Sequence, residues 1–170
     1  PSPEIALIVA AGMTAALSWR NPVHPDTQKW VDRALSLSKN SPNIEASTRA
    51  YTNSAVHYLW SGMFGECGVL ISELKRMVAA QPVSPLRSLV LKHTEAMFFN
   101  TSAEYQPHAL RAVTEGLKEA QKTGVHVVTP LLLNQGVISS LNQGNPGLAE
   151  EFLLKLEKTL RSGGRTHAGH

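Results

Sequence analysis

The sequence predicts an all-α fold, a right-handed superhelical solenoid of about four antiparallel helix pairs. One observation is an apolar stripe at helical spacing, clearest where Leu148, Phe152, Leu156 and Leu160 recur every fourth residue. A second is a series of turn-forming breaks near residues 21, 62, 102 and 144, which recur at roughly forty residues. A fixed period of this size, with one helix pair in each period, is typical of a helical solenoid.

A third observation is that a small residue stands in the middle of each helix that precedes a break. These residues are Gly12, Ala55, Ala96 and Gly136. Small side chains at equivalent positions allow neighbouring helices to approach closely, as a repeated packing contact would need. The alternative is an irregular helical bundle whose spacing is accidental.

Capping residues and glycine stops set the expected helix boundaries. The first six helices are predicted over residues 3–19, 26–39, 44–61, 66–79, 84–100 and 106–123, and the last two within 125–160. Asp26 is a candidate N-cap, Pro85 suits a first helical turn, and Gly124 ends the sixth helix. Gly144 can close the seventh helix in a left-handed conformation, and Pro146 can open the eighth. The stretch VHVVT at 125–129 has a strand-like pattern but is too isolated to pair.

The length of 170 residues is sufficient for one well-buried domain. We expect a single helical-repeat domain over residues 1–162, followed by a tail or the start of a linker over 163–170. The abrupt start at Pro1 and the final GGRTHAGH suggest a piece excised from a longer protein.

The composition excludes several classes of protein. It is 42% apolar and 17% charged, which is too apolar for a disordered chain. The net charge is +3, and the basic residues are dispersed, which argues against direct nucleic-acid binding. One cysteine fits a reducing compartment, so a cytoplasmic location is predicted. The apolar run at 5–17 is too short to span a bilayer, and we expect it to be a buried first helix without contact to a membrane.

Catalytic chemistry has no support in the sequence. Cys67 and His57 could suggest a nucleophile and a base, but Cys67 occupies the small-residue position that Ala149 holds in the last unit. A buried structural cysteine is therefore the preferred interpretation. The seven histidines make no ligand pair within one helix, and neither a hydrolase nor a nucleotide-binding motif is present. We expect a non-catalytic protein with no metal and no cofactor.

Binding is the better-supported activity. In stacked helix pairs the first helix of each pair lines the concave face, where its exposed residues meet ligands. Counting from the breaks places ten residues on that face: Arg49, Thr52, Val56, Trp60, His93, Met97, Asn100, Asn134, Ile138 and Asn142. Aromatic, basic and amide groups together suit a peptide or a small polar ligand. The alternative is that Trp60, Met97 and Ile138 are core residues between repeats and that the amides are merely solvated.

The stretch at 109–156 reads ALRAVTEGLKEAQKTGVHVVTPLLLNQGVISSLNQGNPGLAEEFLLKL. It resembles the tetratricopeptide-like repeats of MalT-like, ATP-dependent, LuxR-type bacterial transcriptional activators. In that family a nucleotide-binding switch module comes first, then a helical-repeat region that senses an inducer or docks partners, then a helix-turn-helix. The period near forty exceeds the usual thirty-four or so of tetratricopeptide repeats, so HEAT-like or other paired-helix arrays stay open. This chain contains no GxxxxGK[ST] loop, so an ATPase module would lie outside it.

The resemblance implies a sensor or protein-interaction domain of a larger transcriptional regulator, which binds a small inducer or a partner protein on its concave face. A second hypothesis is an adaptor that binds a protein partner constitutively, with no small molecule. A third, nucleic-acid binding by a helical repeat, would need a basic stripe that the sequence lacks. An exposed solenoid edge would also offer a surface for a homodimer.

Overall fold

The computed structural model describes residues 2–80, 84–102 and 106–167, and of residues 106 and 163–167 it gives the backbone alone. The regular structure in these ranges is entirely α-helical. Its eight helices are α1 (Pro3–Arg20), α2 (Thr27–Ser38), α3 (Ile44–Trp60), α4 (Phe64–Ala79), α5 (Pro85–Thr101), α6 (Gln106–Thr123), α7 (Thr129–Asn142) and α8 (Pro146–His167). The predicted all-α class with successive packed helices is confirmed, while the right-handed superhelix stays a prediction.

The helix ends follow the predicted turn chemistry at most positions. Gly62, Gly124 and Gly144 have φ values of 74°, 73° and 68°, the left-handed region that a glycine adopts without strain. Asp26 differs from the prediction, because its side chain makes no capping bond and instead pairs with Lys29 at 2.6 Å. The break predicted near 102 falls beside residues 103–105, which lie outside the described residues.

Two helix bounds differ from the expected ones by more than a residue. Helix α4 begins at Phe64 rather than near Glu66, and α8 continues to His167, into the stretch expected to be a tail. Residues 125–128 form no strand and lead through a turn into α7. The chain clusters into two compact units, Pro1–Arg87 and Ser88–His170, so the single domain over 1–162 stays a prediction.

In the first unit, α1 packs against α2 and α3, and α3 packs against α2 and α4. The core of this unit is a cluster of small and medium apolar residues, with Trp30 and Leu37 packed against it: Leu7, Ala10, Ala11, Ala34, Ala46 and Ala50. Helices α1 and α3 run parallel, because Glu4 accepts a bond from Asn43 at their N-terminal ends and Trp19 meets Trp60 at their C-terminal ends. Alanines at the contact allow the two helices to lie close together.

Helix α1 is not buried on all sides, contrary to the prediction. Ile5, Ile8, Val9 and Trp19 are exposed, and a Cβ added at Gly12 would meet nothing within 4 Å. An all-apolar helix is buried only where neighbours surround it, and within the first unit α2 and α3 cover one side of α1. Gly12 is exposed, whereas Ala55, Ala96 and Gly136 are buried, so Gly12 does not make the close helix contact predicted for these small residues.

In the second unit, α7 packs against α6 and α8. The core joins residues of α5, α6, α7 and α8: Ala96, Ala112, Val113, Leu133 and Phe152. Beside it, Lys92 on α5 donates to Glu115 on α6 at 2.6 Å and lies 3.7 Å from the buried carboxylate of Glu95. Ser88 donates to Glu119 at 2.7 Å, so a hydrogen bond and an ion pair join α5 to α6 beside the apolar core.

Candidate functional site

The four predicted residues on α3 have different environments. Val56 is buried in the core, and the Thr52 hydroxyl is buried without a hydrogen-bond partner in the described part of the chain. Arg49 is exposed and lies 4.0 Å from Glu45, a surface pair that contributes little to stability. Trp60 is 42% exposed at the end of the helix. Arg49 therefore presents most of its side chain to solvent, Trp60 presents less than half of its surface, and Val56 presents almost none.

Trp60 forms an aromatic pair with Trp19 of α1. Their ring centroids are 4.4 Å apart and their planes are at 89°, an edge-to-face arrangement in which Trp19 keeps 63% of its surface exposed. Val23 in the turn after α1 and Phe64 at the start of α4 are also exposed. Sequence reasoning missed Trp19, although it stands 41 residues before Trp60, close to the period of the repeat.

The predicted residues on α5 are mostly covered. Met97 is buried, and burial lowers the pKa of His93 from 6.5 to about 4, so its imidazole is neutral at pH 7. The Asn100 amide donates to the backbone oxygen of Gln135 at 3.1 Å and to its side-chain oxygen at 2.9 Å. Asn100 thus uses its amide hydrogens to hold α5 against α7.

On α7 the structure brings Asn142 together with Asn100. The Asn142 amide donates to the backbone oxygen of Asn100 at 3.1 Å, which extends the amide contacts between the two helices. Asn134 and Ile138 are exposed and, with Leu131, follow the i, i+3, i+7 spacing of a single helix face. This α7 surface mixes one amide with two aliphatic side chains.

The candidate nucleophile and base are both buried. Burial raises the pKa of the Cys67 thiol to about 12, so the reactive thiolate is disfavoured. Burial also lowers the pKa of His57, and its Nδ1 has no hydrogen-bond partner among the described residues. The Cys67 side chain sits in the core of the first unit as a small apolar group, as the sequence predicted.

The first unit also has an open cleft among α2, α3 and α4 that the sequence did not reveal. Tyr51 lines it, and burial together with the charge of Glu73 raises the pKa of the Tyr51 phenol. Glu73 and Arg76 at its rim are 2.8 Å apart and pair with each other. Asp32 and Lys39, which also line the cleft, have opposite charges, so the four charged lining residues sum to zero and give an ionic ligand no net charge to bind.

The described residues contain neither a cluster of metal ligands nor a membrane-spanning helix. Nowhere in the ranges 2–80, 84–102 and 106–167 do three or more His, Cys, Asp or Glu side chains gather as they would around a metal ion. Within the same ranges, the helices fall short of the length and hydropathy that crossing a membrane requires.

No protein-family model matches this chain, and neither a curated protein nor a solved structure is significantly similar to it.

Proposed function

We propose that this chain is a non-catalytic helical-repeat domain of a larger bacterial transcriptional regulator that binds an inducer or a partner protein through the first helices of its pairs. The regulator would act in the cytoplasm, and the domain would signal through ligand-dependent shifts in how its helices pack. The sequence supports this context by its resemblance to the repeat region of MalT-like, LuxR-type activators.

The observation that carries the binding proposal is the Trp19–Trp60 pair. Tryptophan is enriched at binding hot spots because it supplies a large apolar surface and one hydrogen-bond donor at low entropic cost. Here two indoles lie edge to face, yet 63% and 42% of their surfaces face solvent. Val23 in the turn after α1 and Phe64 at the start of α4 are also exposed and extend the apolar character of this edge. An exposed apolar patch of this kind marks an interaction site more often than a structural feature.

The direct test is a thermal-shift screen against sugars, nucleotides, amino acids and short peptides. A ligand that binds only the folded state stabilises it by about 2.7 kcal/mol at a hundredfold excess over its dissociation constant. Binding at the pair should also change tryptophan emission, because two of the three tryptophans in the chain belong to it. We expect the shift to disappear in Trp60→Ala and in Trp19→Ala.

Val69→Ala is the matched control, because Val69 is an exposed apolar residue on α4 and takes no part in the aromatic pair. A ligand identified in the screen should stabilise this variant as much as it stabilises the unchanged chain. A ligand whose shift survives both tryptophan substitutions would contradict the assignment of binding to the pair.

The second candidate function is a constitutive adaptor that binds a partner protein without any small molecule. The apolar character of the Trp19–Trp60 edge suits a protein surface equally well. The sequence that flanks this chain would distinguish the regulator from the adaptor. A nucleotide-binding module before it and a helix-turn-helix after it would support the regulator, whereas an unrelated context would exclude the regulator and leave the adaptor.

A further inference from the structure

Two surfaces of this chain are exposed, although the repeat buries the corresponding positions of four of their six residues elsewhere. The α1 face consists of Ile5, Val9 and Gly12 on the outer side of α1. The α7–α8 face consists of Leu141 on α7 with Leu153 and Leu160 on α8. These residues are exposed in the structure.

The first sequence alignment within the repeat places α1 on α3. Ser2 and Asn43 are their N-caps, and each side chain accepts a bond from the backbone N–H three residues on. Ser2 and Asn43 are 41 residues apart, as are Trp19 and Trp60. Helices α1 and α3 are therefore equivalent elements of successive pairs.

In this register Ile5 and Val9 correspond to Ala46 and Ala50. The two alanines are 6% and 0% exposed because they belong to the cluster that packs α3 on α1. Ile5 and Val9 are 53% and 48% exposed. Helix α1 thus presents to solvent the same positions by which α3 packs on α1.

The second register aligns the pair α3–α4 with the pair α7–α8. Gly62 and Gly144 end the first helix of each pair with positive φ and are 82 residues apart. Leu59 and Ile71, which are 5% and 4% exposed, then correspond to Leu141 and Leu153, which are 57% and 45% exposed. The last pair therefore exposes positions that the second pair buries.

The α1 face corresponds to the side of α3 that packs on the preceding pair, and the α7–α8 face corresponds to positions that are buried on the pair α3–α4. Within the first unit, α3 packs on both helices of the preceding pair, α1 and α2. Helix α1 of another molecule could therefore pack its α1 face on α7 and α8, as α3 packs on α1 and α2. Residues 5–19 and all of α7 lack Asp, Glu, Lys and Arg, so the contact would bury no charge from these two stretches. On α8, Glu157 lies between Leu153 and Leu160 and already pairs with Arg161 at 3.3 Å, so its charge would enter the contact with a partner.

We propose that the α1 face of one molecule packs on the α7–α8 face of a second copy of this chain, so that copies associate head to tail. This contact is heterologous, because different surfaces of the two molecules meet, and each copy keeps one free face for another copy. It differs from a closed homodimer, in which both molecules use the same edge and no face is left over.

The test is sedimentation velocity of the full chain over a wide concentration range, with one variant for each face. Val9→Glu places a carboxylate in the α1 face, and Leu141→Glu places one in the α7–α8 face. The unchanged chain should form species larger than dimers as its concentration rises. Each variant alone should be monomeric at concentrations where the unchanged chain associates, because an unpaired charge buried at the contact weakens binding by at least about tenfold.

The decisive sample is an equimolar mixture of the two variants. Val9→Glu retains an intact α7–α8 face and Leu141→Glu retains an intact α1 face, so the mixture should form a 1:1 dimer and nothing larger. A mixture that stays monomeric would overturn the proposal, as would an unchanged chain that is monomeric at every concentration. The latter result would indicate that these faces contact something other than a second copy, such as a further helix pair.

Val69→Glu is the control, because it makes the same valine-to-glutamate change at an exposed residue of α4 outside both faces. It should associate as the unchanged chain does. Circular dichroism should give helical spectra of equal intensity for the three variants, because all three substitutions are at exposed helix positions. Association lost in Val69→Glu as strongly as in Val9→Glu would also contradict the assigned faces.

Discussion

The ring of Phe152 on α8 lies directly over Gly136 on α7. A Cβ at residue 136 would stand 2.8 Å from Cδ1 of that ring, closer than real carbon contacts allow. Phe152 reaches the core cluster of the second unit at this point, beside Leu133 and Val113. The missing side chain of Gly136 therefore allows α8 to pack closely on α7.

Gly136→Ala should destabilise the protein. Forcing a methyl group against a packed ring costs about 1–3 kcal/mol, whereas alanine gains about 1 kcal/mol over glycine in helix propensity. We expect a net fall in the free energy of unfolding of up to about 2 kcal/mol, measured by urea denaturation. Gly12→Ala is the matched control, because nothing lies within 4 Å of a Cβ there, and it should stabilise the chain by about 0.5–1 kcal/mol. Equal stabilisation by both substitutions would show that the ring is not confined.

Asn100→Ala should cost more stability than Asn142→Ala, although both residues link α5 to α7. Asn100 makes two bonds to Gln135, which is a buried residue and would lose partners. Leaving a buried polar group unpaired costs about 1–3 kcal/mol. Asn142 is exposed and makes one bond to the Asn100 backbone, so water can replace it and the cost should stay near about 0.5 kcal/mol. Urea unfolding of the two variants measures the difference, and equal losses would contradict this ranking.

The helices were largely predictable because their signals are local. Gly124 and Gly144 are predicted to end helices, Gly62 stands at the break predicted near residue 62, and all three have positive φ. The apolar spacing of α8 correctly predicted that Phe152 is buried. The length of α8 was underestimated, because no proline or asparagine interrupts residues 161–167, and Gly163 and Gly164 weaken a helix without ending it.

The exposure of individual side chains was less predictable, because it depends on which neighbours are present. Counting along α3 placed Val56 on an open face, whereas α3 is buried around most of its circumference. The apolar sequence of α1 indicated burial, whereas its neighbours in the first unit leave Ile5 and Val9 exposed. The contact of Trp19 with Trp60 could have been inferred from the repeat period, had the two helices been aligned by their caps.

Cys67 should react very slowly with a thiol reagent in the folded protein. Its side chain is buried, and burial raises the thiol pKa to about 12, so the thiolate is scarce at neutral pH. Reaction with a disulfide reagent should be slow in buffer and rapid in denaturing urea, followed by absorbance of the released thiolate. Cys67→Ser should destabilise the fold by about 1–3 kcal/mol, because it buries a hydroxyl in an apolar site, whereas Cys67→Ala should cost less. Rapid labelling of the native protein would refute this placement.

His93 should make the protein less stable as the pH falls from about 6.5 towards 4. Burial lowers its pKa from 6.5 to about 4, so in this interval the unfolded chain binds a proton that the folded chain rejects. The stabilising contribution is complete above pH 6.5, and its loss by pH 4 amounts to at most about 3 kcal/mol. His93→Gln removes the titrating group and should flatten this dependence, whatever its effect on stability at pH 7. A residual slope is expected from His57, whose pKa burial also lowers. Urea unfolding of both proteins at pH 7, 6 and 5 measures the slopes, and identical slopes would show that His93 is not desolvated.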